Sequence, residues 1–70
     1  MYIKNEKTGV SFNSRTTKQN DGFVAIATRR EGNNEALVYR GLCKTRGAAR
    51  YRAEREAFSA YMSHVRIYSM

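Results

Sequence analysis

Two turn signals divide the amino-terminal part of this chain into three short segments. They are Asn20-Asp21-Gly22 and Gly32-Asn33-Asn34. Asn, Asp and Gly tolerate the positive φ angles that tight hairpin loops demand, so each signal predicts a reversal of the chain. Two reversals between three segments make an antiparallel meander. This pattern constrains the fold most, because it fixes which segments are neighbours.

The three segments have the residue patterns of strands. We predict strands at about 10–16, 22–30 and 35–40. Apolar and polar residues alternate from Val10 to Arg15, as in a half-buried strand, whereas Phe23–Thr28 is apolar at both parities. The middle segment is therefore predicted to be the central and most buried strand. Tyr2 and Ile3 give only a weak signal for an additional edge strand.

The last third of the chain predicts a single helix at about 45–63. No β-branched residue follows Thr45 within this span, and Ala, the best helix former, recurs through it. The Thr45 hydroxyl can accept a hydrogen bond from a free amide of the first turn, which predicts an N-cap. Arg50 and Glu54 stand four residues apart and can form an ion pair. The tail 65–70 alternates, which fits either a short strand or a frayed end.

Two stripes of side chains on this helix could each pack against the sheet. A smooth alanine stripe lets a helix lie close to a sheet, and a second stripe of larger apolar residues lies further round. The sequence leaves open which stripe faces the sheet. The first stripe is Ala49, Ala53, Ala57 and Ala60, and the second is Tyr51, Phe58, Met62 and Val65.

These elements predict an α+β fold over residues 1–70, a three-stranded antiparallel sheet with one carboxyl-terminal helix packed on one face. The order is β-β-β-α. A chain of 70 residues forms one small domain. Such a domain buries only ~60% of the surface of its unfolded chain, which argues against a large enclosed cavity. The sheet face opposite the helix is left bare and is expected to carry the function.

The residue content argues against enzymatic function. Cys43 is the only cysteine and His64 the only histidine, which excludes an internal disulfide, a cysteine-based zinc site and a histidine cluster. Because neither has a nucleophile, base and orienting group beside it, we expect a helix-end histidine and a buried structural thiol. Glu54 and Glu56 stand two apart on a helix and so form no carboxylate pair. We predict no catalytic residue, no metal site and no cofactor.

The chain is also expected to act away from membranes. No apolar run approaches the ~20 residues of a membrane span, and Met1–Lys4 is not followed by the apolar segment of a secretory leader. The single thiol fits a reducing compartment. The sequence therefore predicts a cytoplasmic protein, nucleoid-associated if it binds DNA.

The charge balance points to a polyanionic partner. Lys and Arg total 13 against 6 Asp and Glu, a formal net charge of +7, and nine of these cations are arginine. Guanidinium groups pair bidentately with phosphates and with guanine edges. A charged surface that merely keeps a small domain soluble would not need so large an imbalance. The candidate nucleic-acid-binding residues are Arg15, Lys18, Arg29, Arg30, Tyr39, Arg40 and Lys44.

The third strand and the helix resemble a known DNA-binding family. The run Tyr39-Arg40-Gly41-Leu42-Cys43-Lys44-Thr45 leads into Ala48-Ala49 and then Ala53-Glu54-Arg55-Glu56-Ala57-Phe58. These motifs are similar to the ethylene-response-factor DNA-binding domain and to its relatives in phage homing endonucleases and in the arm-binding domains of tyrosine recombinases. Phe23-Val24-Ala25-Ile26 is similar to the central strand of that family. The resemblance spans about residues 10–62.

The resemblance implies a mode of binding in which the sheet faces duplex DNA and the helix supports it from behind. By position, Arg15, Arg29 and Tyr39 would make the contacts that read sequence, because base contacts specify and phosphate contacts orient. The implied protein is a small accessory or regulatory factor of phage or mobile-element type. The implied phosphate-positioning residues are Lys18, Arg30, Arg40 and Lys44.

Two other functions stay open at this point. The chain fits a small phage-type inhibitor that binds a host nucleic-acid-processing protein, since arginine and tyrosine are also frequent interface hot spots. It also fits a protein that reads structured RNA by its shape. A single small module gains DNA affinity by dimerising, and Tyr51, Phe58 and Met62 are the candidate self-association surface.

Overall fold

The computed structural model describes residues 1–68 and shows an α+β fold, in which one helix covers one face of an antiparallel sheet. The elements are β1 (Tyr2–Lys4), β2 (Ser11–Gln19), β3 (Gly22–Glu31), β4 (Asn34–Cys43) and α1 (Arg46–Tyr68). The strand order in the sheet is β1-β2-β3-β4, so each strand pairs with its neighbour in sequence. Within residues 1–68, no helix is both long enough and apolar enough to cross a membrane.

The predicted count of three strands is wrong, because β1 adds a fourth strand beside β2. It pairs antiparallel with Ser11–Asn13. Asn5 closes the connecting loop, since its side-chain oxygen accepts a hydrogen bond from the Lys7 amide at 2.9 Å and its carbonyl accepts one from the Gly9 amide at 2.8 Å. These loop contacts fix the pairing of a strand that has only three residues. A strand this short has too little alternation for the sequence to indicate it strongly.

Both predicted turns are two-residue hairpin loops. Asn20-Asp21 joins β2 to β3, and Gly32-Asn33 joins β3 to β4. Gly32 has a φ of 62° at the first loop position, where type II′ hairpin turns take a glycine. Gly22 has a φ of 152°, and a Cβ at this position would collide with the carbonyl oxygen of Cys43. Glycine is therefore needed at both turns.

A β-bulge interrupts the pairing of β3 with β4. Ala27 lies opposite Tyr39, but the next residue, Thr28, lies opposite Leu37, so Val38 is an extra residue in β4. A bulge of this kind changes which face the following side chains occupy. As a result, Leu37 and Tyr39 lie on opposite faces of the sheet although they are only two residues apart.

The helix begins where the sequence predicts its cap and ends later than predicted. The Thr45 hydroxyl accepts a hydrogen bond from the Ala48 amide at 3.1 Å, which confirms the N-cap. α1 then continues to Tyr68, past the predicted end near residue 63. The tail from residue 65 to 68 is thus helical, and residues 69–70 lie outside the described part of the chain.

The alanine stripe of α1 faces the sheet, which settles the choice that the sequence left open. Ala49 and Ala53 pack on Ala25 of β3, and all three are at most 1% exposed. Side chains this small let the helix backbone come close to the sheet. Three larger, partly buried residues pack around this alanine cluster, namely Phe23, Tyr39 and Cys43.

A second group of contacts joins the other end of the helix to β2. The ring of Phe12 is 1% exposed and meets Tyr61 edge-on, with ring centroids 6.1 Å apart. His64 lies 5.5 Å from the same ring, and its Nε2 forms a 2.7 Å hydrogen bond with the Thr8 hydroxyl. The histidine is therefore a buried structural residue that ties the β1–β2 loop to the last turns of α1.

Candidate nucleic-acid interface

One face of the sheet carries α1, and the opposite face, here called the open face, is covered by no other element of residues 1–68. Phe12 and Ala25 contact the helix, and side chains alternate along each strand. The residues next to them along the strands therefore lie on the open face, and the pairing register extends this assignment to β1 and β4. Its members are Tyr2, Lys4, Ser11, Asn13, Arg15, Thr17, Val24, Ile26, Thr28, Arg30, Glu35, Leu37, Arg40 and Leu42.

Two arginines flank an apolar residue at the centre of this face. Arg15 of β2 lies opposite Ile26 of β3, and Ile26 lies opposite Arg40 of β4. Neighbouring strands lie ~4.8 Å apart, so the two arginines start about 10 Å apart. Both are exposed, and neither has a carboxylate partner within residues 1–68. The row therefore presents two uncompensated guanidinium groups on either side of an apolar side chain.

Polar donors extend the site from the central row towards β1. Asn13 is exposed, and its side-chain oxygen accepts a hydrogen bond from the Ser14 amide at 3.0 Å, which turns its NH₂ group to other acceptors. Tyr2 is paired with Asn13 and adds an exposed phenol to the same row. Arg30 lies in the next row but forms a 2.9 Å ion pair with Glu35 across the strands. Among the described residues, the cations of the open face without an ion pair are thus Arg15 and Arg40 in the central row and Lys4 in β1.

The open face brings together only part of the predicted residue set. Arg15, Arg30 and Arg40 lie on it, as a sheet-centred nucleic-acid site requires. Lys18 lies opposite Phe23, on the helix side near the end of β2. Lys44 follows β4 and lies in the connection to α1.

Arg29 and Tyr39, which the resemblance implied as base-reading residues, lie on the helix side of the sheet. Arg29 is opposite the buried Phe12 and forms an ion pair with Glu31 at 3.5 Å. Tyr39 packs in the core beneath the guanidinium of Arg52, which lies 5.0 Å from the ring centroid. Neither residue lies on the open face, so the implied placement of these two residues beside Arg15 on one surface is corrected.

Several residues of the open face were not singled out from the sequence. Tyr2 and Lys4 reach it through β1, for which the alternating Tyr2-Ile3-Lys4 gave only a weak signal. Leu37 and Leu42 of β4 are 61% and 62% exposed on this face. Their side of the sheet depends on the bulge at Val38, and no local pattern in the sequence marks that bulge.

The residues considered above for catalysis or metal binding are separated in the described part of the chain and held in different contacts. His64 is engaged by Thr8, and Cys43 is half-buried beside the alanine contact. Glu54 and Glu56 pair with different arginines on the two flanks of α1. No three His, Cys, Asp or Glu side chains between residues 1 and 68 come together as metal ligands.

The candidate self-association residues lie on the face of α1 away from the sheet. All three are exposed, and Arg55 stands among them on the same side of the helix. They are Tyr51, Phe58 and Met62.

Comparison with protein-family models, curated proteins and solved structures finds no match to this chain. The resemblance to the ethylene-response-factor type of domain therefore stays a prediction from the motifs of β4 and α1. Function has to be argued from the open face itself.

Proposed function

We propose that this protein binds double-stranded DNA by placing the open face of its sheet in the major groove, and that it is not an enzyme. The observation that carries the proposal is the row Arg15–Ile26–Arg40, with its two unpaired guanidinium groups on the face opposite the helix. The net charge of +7 supports it, because a polyanion is the partner that such an excess attracts.

The width of the sheet at this row suits the groove. β1 pairs only with Ser11–Asn13, so three strands are present at Arg15 and Arg40. Two strand spacings give about 10 Å between the outer strands. The major groove of B-DNA is ~12 Å wide and accepts strands as well as helices. The three-stranded end of the sheet therefore fits the groove better than the end that includes β1.

The residues of the row have the chemistry that reads base edges. Arginine donates two hydrogen bonds to the O6 and N7 atoms of guanine, and asparagine pairs in the same way with adenine. Arg15, Arg40 and Asn13 supply these groups, while Ile26 can contact a thymine methyl. Lys18 and Lys44 stand at the margins of the sheet, where phosphates would lie. Given the small size of the chain, the proposed role is that of an accessory or regulatory factor of phage or mobile-element type.

Fluorescence anisotropy tests the proposal with labelled duplex DNA, duplex RNA and single strands, each at 50 and 200 mM salt. We expect duplex DNA to bind most tightly and to lose affinity steeply with salt, because phosphate contacts release counterions. We expect Arg40→Gln and Arg15→Gln each to weaken binding about tenfold or more, as the loss of a bidentate base contact does.

Arg66→Gln is the matched control, because Arg66 lies in the last turn of α1 and away from the sheet face. It makes the same change in net charge and should weaken binding much less. Equal losses for Arg66 and Arg40 would mean that only diffuse charge attracts DNA. Absence of duplex DNA binding at 50 mM salt would contradict the proposed function.

A second candidate function rests on the exposed apolar residues of β4. Leu37 and Leu42 lie on the open face beside Arg40, and a mixed apolar and arginine surface is typical of protein interfaces. The chain would then act as a phage-type inhibitor of a host nucleic-acid-processing protein. Binding to such a partner would change little between 50 and 200 mM salt, and Leu42→Ser would weaken it more than Arg15→Gln.

A further inference from the structure

A cleft opens at the outer edge of β2, next to the end of β1 that begins at Tyr2. The last contact between the two segments is a 2.9 Å hydrogen bond from the Ser14 amide to the carbonyl of Met1. From Thr16 to Gln19, no strand of residues 1–68 pairs with this edge of β2. The edge therefore offers backbone groups that the sheet does not use.

The free backbone groups include hydrogen-bond donors. In an antiparallel ladder, amides two residues apart point to the same side of the strand. The Ser14 amide points to β1, so the amides of Thr16 and Lys18 point outward at the same edge. Backbone amides at such positions are common phosphate ligands in protein–DNA complexes.

Side chains from both layers of the protein line the cleft. It has a volume of about 180 Å³, and its lining combines hydroxyl groups of β2 with charged groups of α1. Arg50 extends over it with 76% of its side chain exposed and holds Glu54 only loosely, at 3.4 Å. Arg50 is the arginine whose side chain comes to the cleft from α1, and Arg15 borders it from β2 with its side chain on the open face. The lining residues are Met1, Ser14, Arg15, Thr16, Arg50, Ala53 and Glu54.

We infer that this cleft binds a backbone phosphate of the duplex, so that one DNA strand runs along the free edge of β2. The inference rests on the proposed function. The major groove is ~8.5 Å deep, so the phosphates along its walls lie beside the edges of a sheet placed in it. At the β2 edge, the Thr16 amide points outward and Arg50 comes to the same cleft from α1.

Two pairs of matched variants test the site. Arg50→Gln is compared with Arg55→Gln, which removes the same charge from the side of α1 that faces away from the sheet. Glu54→Gln is compared with Glu56→Gln, because both carboxylates pair with an arginine four residues earlier on the same helix. Circular dichroism establishes that each variant is folded, and affinity is measured on two duplexes of unrelated sequence at 50–200 mM salt.

We expect Arg50→Gln to weaken binding to both duplexes by the same factor, about three- to tenfold at 50 mM salt. It should also reduce the slope of log K against log salt by about one, which is the signature of a lost phosphate contact. Arg55→Gln should change the affinity by less than twofold. Glu54→Gln should tighten binding by several-fold and Glu56→Gln by less, since only Glu54 opposes an anion in the cleft.

Equal effects within each pair would overturn the inference and leave the proposed function standing. A loss at Arg50 that differs between the two duplexes would also overturn it, because a phosphate contact does not depend on base sequence. If the unmodified protein binds neither duplex, the proposed function fails first, and the inference fails with it.

Discussion

The absence of a side chain at Gly22 allows β3 and β4 to pair closely at this position. Its φ of 152° is rarely adopted by residues with a Cβ, and an added Cβ would meet the carbonyl oxygen of Cys43 on the neighbouring strand. Gly47 is the opposite case. It lies in the first turn of α1, and a Cβ there would have open space around it. The same substitution at the two positions should therefore act in opposite directions.

Gly22→Ala is expected to lower the free energy of unfolding by about 1–3 kcal/mol, through backbone strain and the clash with β4. Gly47→Ala should raise it by up to ~1 kcal/mol, because alanine favours the helix over the unfolded chain. For a domain of this size, ~1 kcal/mol moves the melting temperature by about 4–8 °C. Thermal unfolding followed by circular dichroism measures both variants. An increase for both would show that the turn tolerates a Cβ.

At the scale of the elements, the fold depends on how closely α1 approaches the sheet. The buried contact joins Ala49 and Ala53 to Ala25, and Gly41 of β4 lies beside it, beneath the ring of Tyr39. These small residues bury little apolar area. The helix and the sheet must therefore lie close together, so that their backbones and small side chains make the dispersion contacts that larger side chains make in other proteins. Any side chain that holds the helix away from the sheet would weaken the whole interface.

Ala53→Leu is therefore expected to destabilise the protein by about 1–3 kcal/mol, which is the usual cost of overpacking a close contact. Ala48→Leu is the control, because Ala48 is exposed on the same helix and leucine is nearly as good a helix former. Urea unfolding of the two variants gives the difference directly. Equal stabilities would contradict the packing of the alanine stripe on the sheet.

The same elements show how far the sequence predicts this structure. The two hairpins follow from Asn20-Asp21-Gly22 and Gly32-Asn33-Asn34, because turn chemistry is local. The Thr45 cap and the helix follow from equally local rules, although the helix ends at Tyr68, later than the pattern indicated. The choice between the two helix stripes could not be predicted, since it depends on the small residues of the sheet that meet the helix.

The faces of the strands were harder to predict than the strands themselves. Phe23–Thr28 is apolar at both parities, so its pattern does not say which residues face the helix. In β4, the bulge at Val38 moves Tyr39 to the helix side and Arg40 to the open face. Arg29 is paired with Phe12, whose side chain contacts the helix, so Arg29 also lies on the helix side. The residues predicted as one site are therefore divided between the two faces, with Arg15, Arg30 and Arg40 on the open face and Arg29 and Tyr39 on the helix side.

The protein has two exposed surfaces that combine charge with apolar side chains, namely the open face and the outer side of α1. Within residues 1–68, four ion pairs neutralise two arginines near the end of β3 and two arginines of α1, and these pairs leave Arg15 and Arg40 of the open face uncompensated. The outer side of α1 exposes Tyr51, Phe58 and Met62, with Arg55 among them. A molecule built in this way can bind a polyanion on one side and contact a second copy on the other. Salt should affect the two interactions in opposite directions.

We expect self-association through the outer side of α1 to be weak, because three side chains form far less than a standard interface. It should strengthen between 50 and 500 mM salt, since two copies each carry a net charge of +7 and screening reduces their repulsion. Sedimentation velocity at several protein concentrations measures this, and Phe58→Ser should abolish it without affecting the binding of a single copy to DNA. If the protein stays monomeric at both salt concentrations, the prediction that this side of α1 mediates dimerisation is wrong. The open face would then have to supply the DNA affinity from a single copy.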